Sequence, residues 1–329
     1  LKKLLGLLVI AAFAVMAITG CGGGANKNSQ PRTASKEPVL ITIVTGGSSG
    51  PYFALGGAVA KLFNENIPGA KASVQSTGAS AVNCTLLGEK KAELAFAMND
   101  VVSYAYTGTE VFKDKGAVKN LRGMAALYPN YVQLIALEKS GIKSVADLKG
   151  KRVGVGAPGS GTEVNARQVL EAYGITYKDI KPDYLSYAES IEQMKNGSVD
   201  AAFQTSGLPN STILDLCTTH DVRIIPIEPK TVEKLAEKYP FYTSVSIPGG
   251  TYDNKEDVPT AAVTSILVVR DDMPEDLVYN MTKIVFENLG DLVSTHSAAK
   301  DIKLEKAKKG IPVPLHPGAE KYFKEKGVN

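Results

Sequence analysis

Residues 151–174 read KRVGVGAPGSGTEVNARQVLEAYG. Val153 and Val155 predict a short buried strand, the glycines at 154, 156, 159 and 161 a tight loop, and Ala166, Val169, Leu170 and Tyr173 the inward face of a helix. Gly174 stops that helix at a left-handed cap position. Ser160 and Glu163 form S-x-x-E, which predicts a capping box: Ser160 accepts from the amide of residue 163 and the Glu163 carboxylate returns to the amide of Ser160. Glycines let a ligand approach the main chain, and a helix N-terminus offers unpaired amides and about half a positive charge. The loop suits an anion, although the capping box alone fits a plain helix start equally well.

The same grammar occurs twice more upstream. Residues 39–64, VLITIVTGGSSGPYFALGGAVAKLFN, predict a strand, a glycine-serine loop and a helix with Leu55, Val59, Leu62 and Phe63 inward; Pro68-Gly69 stops it. Residues 71–100, KASVQSTGASAVNCTLLGEKKAELAFAMND, predict a strand, a Ser-Thr-Gly-Ala-Ser loop, a helix through Leu87 and a strand from Leu94 to Met98. Strands alternating with helices argue an α/β class with largely parallel sheets. Ser144 and Asp147 frame a capped turn, Asp200 to Phe203 and VRIIPI are further strands, and AAVTSILVVRDDMPEDLVYNMTKIVFENL supplies a long strand and a long helix. Two extended segments far apart in sequence, Tyr131 to Lys139 and Val263 to Arg270, predict two crossovers between lobes. Lobe one then covers 39–130 plus 265–329, lobe two covers 131–264, and a cleft lies between them.

The beginning of the chain reads as an address. Lys2 and Lys3 precede an apolar run from Leu4 to Ile18 that ends in Ile18-Thr19-Gly20-Cys21. The run is shorter than the roughly 20 residues of a membrane-spanning helix and matches a lipoprotein signal peptide over 1–20. Cleavage before Cys21 and lipidation of its thiol would tether the protein to the extracytoplasmic face of a bacterial membrane. Residues 21–38 are Gly, Asn, Ser, Lys and Pro rich and predict a flexible linker.

About 290 residues remain, enough for two lobes. Without Lys2 and Lys3, 35 basic residues face 34 acidic ones, which gives no electrostatic footprint for nucleic acid. Besides Cys21 only Cys84 and Cys217 occur, too few for a disulfide framework, and both are expected as reduced, buried thiols on helices of different lobes.

Two motifs point to other functions and fail on context. Gly154, Gly156 and Gly159 with Asp179, 20 residues beyond, satisfy a dinucleotide fingerprint, but Pro158 removes an amide where a pyrophosphate would need one. Gly46, Ser48 and Gly50 satisfy the G-x-S-x-G elbow of serine hydrolases, yet nothing structured precedes this strand to build an oxyanion hole. His220, His296 and His316 stand in polar or turn contexts without a motif. No metal motif, paired Cys-x-x-Cys or Walker loop is present, so neither cofactor nor metal is expected.

Taken in order, TGGSSGPYFALGGAVAKLFN, QSTGASAVNCTLLGEKKAELAFAMND, IKSVADLKGKRVGVGAPGSGTEVNARQVLEAYGI, GSVDAAFQTSGLPN and PLHPGAEKYFKEKG resemble the TAXI-type solute receptors of TRAP transporters. The resemblance implies a type II periplasmic-binding-protein fold, each lobe a sheet flanked by helices and joined by two crossover strands. It implies a monomer that binds a small organic anion such as glutamate, glutamine or 2-oxoglutarate and delivers it to an ion-gradient-driven permease. Carried onto this sequence, Thr45, Gly46, Ser48 and Tyr52 form one wall of the site, with Thr77, Gly78, Ser80 and Asn83 beside it and Asn99 nearby. Ser160, Gly161 and Thr162, with Ser206 and Gly207, form the opposite wall, and Tyr128 closes over the carbon chain. Met98 departs from the Gln of many relatives, which favours a less polar acid than glutamate. Asp100 is expected to cap the following helix. The alternatives are a secreted hydrolase using Ser48 and a surface lipoprotein that senses solute without transport.

Overall fold

The computed structural model describes residues 38–328; the predicted signal, Cys21 and nearly all of the linker lie outside them. Strand β1 (Val39–Val44) leads to helix α1 (Pro51–Asn66), β2 (Ala70–Gln75) to α2 (Ser80–Gly88), and β3 (Leu94–Met98) to α3 (Asn99–Thr107). A long strand, β4 (Leu121–Leu137), precedes β5 (Arg152–Gly154), α4 (Gly161–Ala172), β6 (Lys181–Asp183) and α5 (Tyr187–Lys195). Then come β7 (Ala201–Ser206), α6 (Ser211–Cys217), β8 (Val222–Ile225), α7 (Pro229–Lys238) and β9 (Thr243–Ile247). A second long strand, β10 (Val258–Arg270), feeds α8 (Glu275–Glu287), α9 (Leu289–Thr295) and α10 (Pro317–Glu325).

The strands join in the order β2-β1-β3-β10-β4-β7-β5-β6, with β8 also on β4 and β9 also on β10. The expected parallel pairing holds for β1 with β2 and β3 and for β5 with β6 and β7. It fails for β4 and β10, which run antiparallel to each other and to all their other neighbours. These two strands carry the chain from one half of the sheet to the other in opposite senses, so they cannot share the direction of the strands they join.

Both crossovers are longer than the sequence pattern predicts. At 17 residues, β4 extends about 56 Å at roughly 3.3 Å per residue, enough to serve both halves. Its first part pairs with β10 and its last part with β7 and β8. The early part escaped the pattern because Gly123, Ala125 and Pro129 read poorly as strand. Packing explains the glycine: a side chain at Gly123 would collide with Ile311.

Apolar side chains fill both faces. Ile41 and Ile43 of β1 pack with Leu55, Val59 and Phe63 of α1 and with α8 and α10, where Phe286, Tyr322 and Phe323 stack. Val153 of β5 packs with Val169 and Leu170 of α4. The capping box at Ser144 and Asp147 is formed. Cys84 is buried, Cys217 is half-buried, and both are free thiols. No helix among the described residues is long and apolar enough to cross a membrane.

Candidate functional site

The three glycine loops, each between a strand end and a helix start, converge on one cavity. Gly46, Gly47, Ser49, Gly50, Pro51 and Tyr52 line it from the first loop, and Thr77, Gly78 and Ala79 from the second. The third supplies Ala157, Ser160, Gly161 and Thr162, and Met98, Asn130, Ser186, Tyr187, Thr205 and Ser206 complete it. No Asp, Glu, His, Lys or Arg is among these residues. A cavity at the ends of the parallel strands is where open α/β sheets place ligands.

In the first loop Gly50 donates to the Gly47 carbonyl at 3.0 Å, and buried Thr45 turns its hydroxyl to the Gln75 carbonyl at 3.0 Å. Gly56 lets α1 come against this loop, since a Cβ there would fall 2.6 Å from Thr45 Cγ2. The second loop is tied to the first through Asn83, whose Nδ2 donates to the Thr45 carbonyl and, at 2.8 Å, to the Phe96 carbonyl. Thr77 Oγ1 accepts from the Ala79 amide at 2.9 Å and donates to the Thr45 carbonyl at 2.9 Å.

The third loop depends on Gly156, whose φ is +101° and where a Cβ would sit 2.8 Å from the Glu163 amide. Ser160 Oγ accepts from that amide at 3.1 Å, as the sequence predicts. The other half of the expected box is absent. Glu163 turns instead to Tyr177 Oη at 2.8 Å and toward Arg167 at 3.9 Å, so the Ser160 amide donates to the Ala157 carbonyl.

Gly46, Tyr52, Thr77, Gly78, Ser160, Gly161, Thr162 and Ser206 thus lie on the cavity wall as expected. Thr45, Ser48, Ser80, Asn83, Asn99, Tyr128 and Gly207 do not. Thr45 and Asn83 brace the loops from behind. Ser80 Oγ accepts from the Met98 amide at 3.1 Å. Asn99 bonds Gly310 and Thr264, each at 3.0 Å, and Tyr128 is buried against Gly207. Ser48 is exposed and its hydroxyl makes no hydrogen bond among the described residues. The histidines serve elsewhere: Nδ1 of His316 and of His296 cap helical turns at 3.2 and 3.1 Å, and His220 pairs with Thr219. Asp100 is not a cap; it sits in the first turn of α3 with Oδ2 accepting from Asn165 Nδ2 of α4 at 2.8 Å. Burial pushes this carboxyl up to about 6.

Asn130, Tyr187 and Thr205 are cavity-wall positions that sequence reasoning missed. Tyr187 Oη donates to the Thr205 carbonyl at 2.6 Å and shares a 3.0 Å hydrogen bond with Thr162, and burial pushes its phenol up to about 12. Asn130 Nδ2 donates to Tyr52 Oη at 2.7 Å. A signal existed for both: Ser186 and Glu189 are a capping box that starts α5 at Tyr187, and Asn130 is a polar residue inside a crossover strand. Main-chain amides remain on the wall. Those of Gly46, Gly47, Ser49, Tyr52, Gly78, Gly161 and Thr162 have no hydrogen-bond partner among the described residues.

The two halves also touch around the cavity. The Ala81 amide donates to the Gly159 carbonyl at 3.1 Å, Ser211 Oγ to the Ser49 carbonyl at 3.3 Å, and Arg167 to Glu110 at 3.2 Å. Among the described residues no cluster of His, Cys, Asp or Glu is placed to hold a metal.

Residues 43–327 match the model of the NMT1-like family. The chain belongs to that family. Its fold is that of the type II periplasmic binding proteins. MatC from Rhodopseudomonas palustris with bound malate superposes with a TM-score of 0.56 and 13% identity, over 88% of this chain and 98% of that one. PhnD1 from Prochlorococcus marinus in complex with methylphosphonate gives 0.54 and 13% identity, over 89% and 100%.

Proposed function

We propose that this protein is an extracytoplasmic solute receptor, which binds a small organic anion in the cavity and hands it unchanged to a membrane permease of the TRAP type. The observation that carries the proposal is a cavity without Asp, Glu, His, Lys or Arg, whose lining residues at the starts of α1 and α4 and in the loop before α2 have unpartnered amides. Amides at helix starts hold an anion without a counter-charge, each hydrogen bond to it contributing about 1.5 to 3 kcal/mol. By the TAXI-type resemblance the solute is one like glutamate, glutamine or 2-oxoglutarate.

In this reading the segments 39–130 with 265–329, and 131–264, are lobes that close by flexing β4 and β10. A solute touching both favours the shut form by its differential affinity, and the permease recognises that form. Tethering through lipidated Cys21 keeps the monomeric receptor at the extracytoplasmic face of the cell membrane. The TAXI-type resemblance and the binding-protein fold support this reading. A thermal-shift screen of amino, hydroxy and keto acids tests it: at least one small acid should raise the melting temperature, and mass spectrometry should find an acid released on unfolding. Absence of both defeats the reading.

A further inference from the structure

Asp100 of α3 and Asn165 of α4 meet across the two halves, both fully buried, close in sequence to the wall residues Met98, Gly161 and Thr162. Asn165 Nδ2 uses both its hydrogens, donating to Asp100 Oδ2 at 2.8 Å and to Tyr242 Oη at 2.7 Å. Tyr242 gives its own hydrogen to Gln168 Oε1 at 2.7 Å, and Gln168 Nε2 donates to Tyr104 Oη at 3.0 Å. Oδ1 of Asp100 and Oδ1 of Asn165 are left buried without a hydrogen-bond partner among the described residues. Two acceptors thus remain at a contact that has run out of donors. One proton supplies what is missing, because a carboxylic acid both accepts and donates and can exchange two hydrogen bonds with a carboxamide.

We infer that shutting the halves takes up one proton from solvent, which rests on Asp100 Oδ1 and donates to Asn165 Oδ1, so that the shut, solute-holding form gains as pH falls below neutral. The inference rests on the solute-receptor reading, in which the halves move, and adds a second species that biases the movement. The surroundings of Asp100 favour the neutral acid. Tyr52, Cys84, Tyr104 and Tyr242 stand around it, each held neutral by burial and each disfavoured further by a charge on Asp100. No cation balances the carboxylate: Arg167, on the same helix as Asn165, is turned to Glu110 and Glu163. Only Asn165 and the amides that open α3 support the charge, and desolvation outweighs them, raising the carboxyl from 3.8 to about 6. Parting the halves returns the carboxyl to water and to its ordinary value. The shut form therefore binds more protons between these two values, and the ratio of shut to open form should rise about tenfold from pH 7.5 to pH 5.

X-ray scattering from the purified chain without solute, at pH 7.5, 6 and 5, reads that ratio from the proportions of compact and extended forms. The compact fraction should grow as pH falls in the wild type. Asp100→Asn, checked for an unchanged far-UV spectrum, offers a donor and an acceptor at every pH, so its ratio should stay constant. Asn165→Asp places two carboxyls face to face that share one proton, and its transition should move to higher pH. A wild-type ratio that does not change between pH 7.5 and 5 overturns the inference, as does a pH response in Asp100→Asn equal to that of the wild type. Either result leaves the receptor reading standing, since that reading fails only if small acids neither stabilise the protein nor are released from it.

Discussion

Two places where the halves of this molecule meet are built on opposite principles. The cavity wall is largely glycine, hydroxyl and main chain, with no Asp, Glu, His, Lys or Arg. Behind it lies a seam of buried side chains: Asp100 and Tyr104 of α3 meet Asn165 and Gln168 of α4, which both bond Tyr242, with the contacts between 2.7 and 3.0 Å. At the cavity, backbone amides are left without partners; at the seam, side chains bond one another across the halves, with Oδ1 of Asp100 and of Asn165 left over. The wall thus consists of groups that carry no charge near neutral pH, while the contact between halves includes a buried carboxyl.

The comparison breaks most visibly at the brace behind the cavity. Asn83→Leu removes one donor from each of the buried Thr45 and Phe96 carbonyls, the former keeping Thr77, and an expected loss of about 2 kcal/mol should appear in urea unfolding together with weaker solute binding. If binding survives intact, the loops are not held from behind. At the wall itself, Gly161→Val drives a side chain into Met98 Sδ and Ser80. Overpacking of about 1 to 3 kcal/mol is expected, and the ligand-induced thermal shift should vanish even where the fold persists.

At the seam the expected effect is a pH dependence. The folded pKa of Asp100, about 6, lies above its ordinary value of 3.8, so the folded state holds a proton between these values that the unfolded state releases. Stability therefore rises as pH falls from 7 through 6 toward 4, by at most about 3 kcal/mol from this group. Asp100→Asn should flatten that segment of the melting-temperature profile, and an equally steep profile in the variant would show that another group is responsible. Acids held low, such as Asp272 at about 2, act in the opposite sense: their contribution is present above 3.8 and is lost as pH falls through 2. The smallest effect belongs to Ser48→Ala. Within about 0.5 kcal/mol, neither stability nor solute affinity should change, and a large drop in affinity would return Ser48 to the wall.

Much of the site was legible because strand, glycine loop and helix follow one another within a few residues. On that basis glycines at 46, 78 and 161 are expected together, and all three line the cavity. The hydroxyl residues misled: Thr45 and Ser80 have the right chemistry and the right loops, yet they point their oxygens at neighbouring main chain. Asn130 and Thr205 were hidden for the converse reason, as polar residues within strands whose neighbours belong to other parts of the chain. Met98 was flagged by its departure from a resemblance and does face the cavity.

By itself the amino-acid order determined the helix starts, the loops and the α/β class, because capping, glycine conformation and apolar periodicity act over only a few residues. The tertiary structure alone decided which polar groups brace, which adhere and which are left without a partner. Those choices are hydrogen bonds across long separations, such as Asn83 to Thr45 at 38 residues and Asn165 to Asp100 at 65. A side chain's chemistry says what it can bond, and only the packing says what it meets.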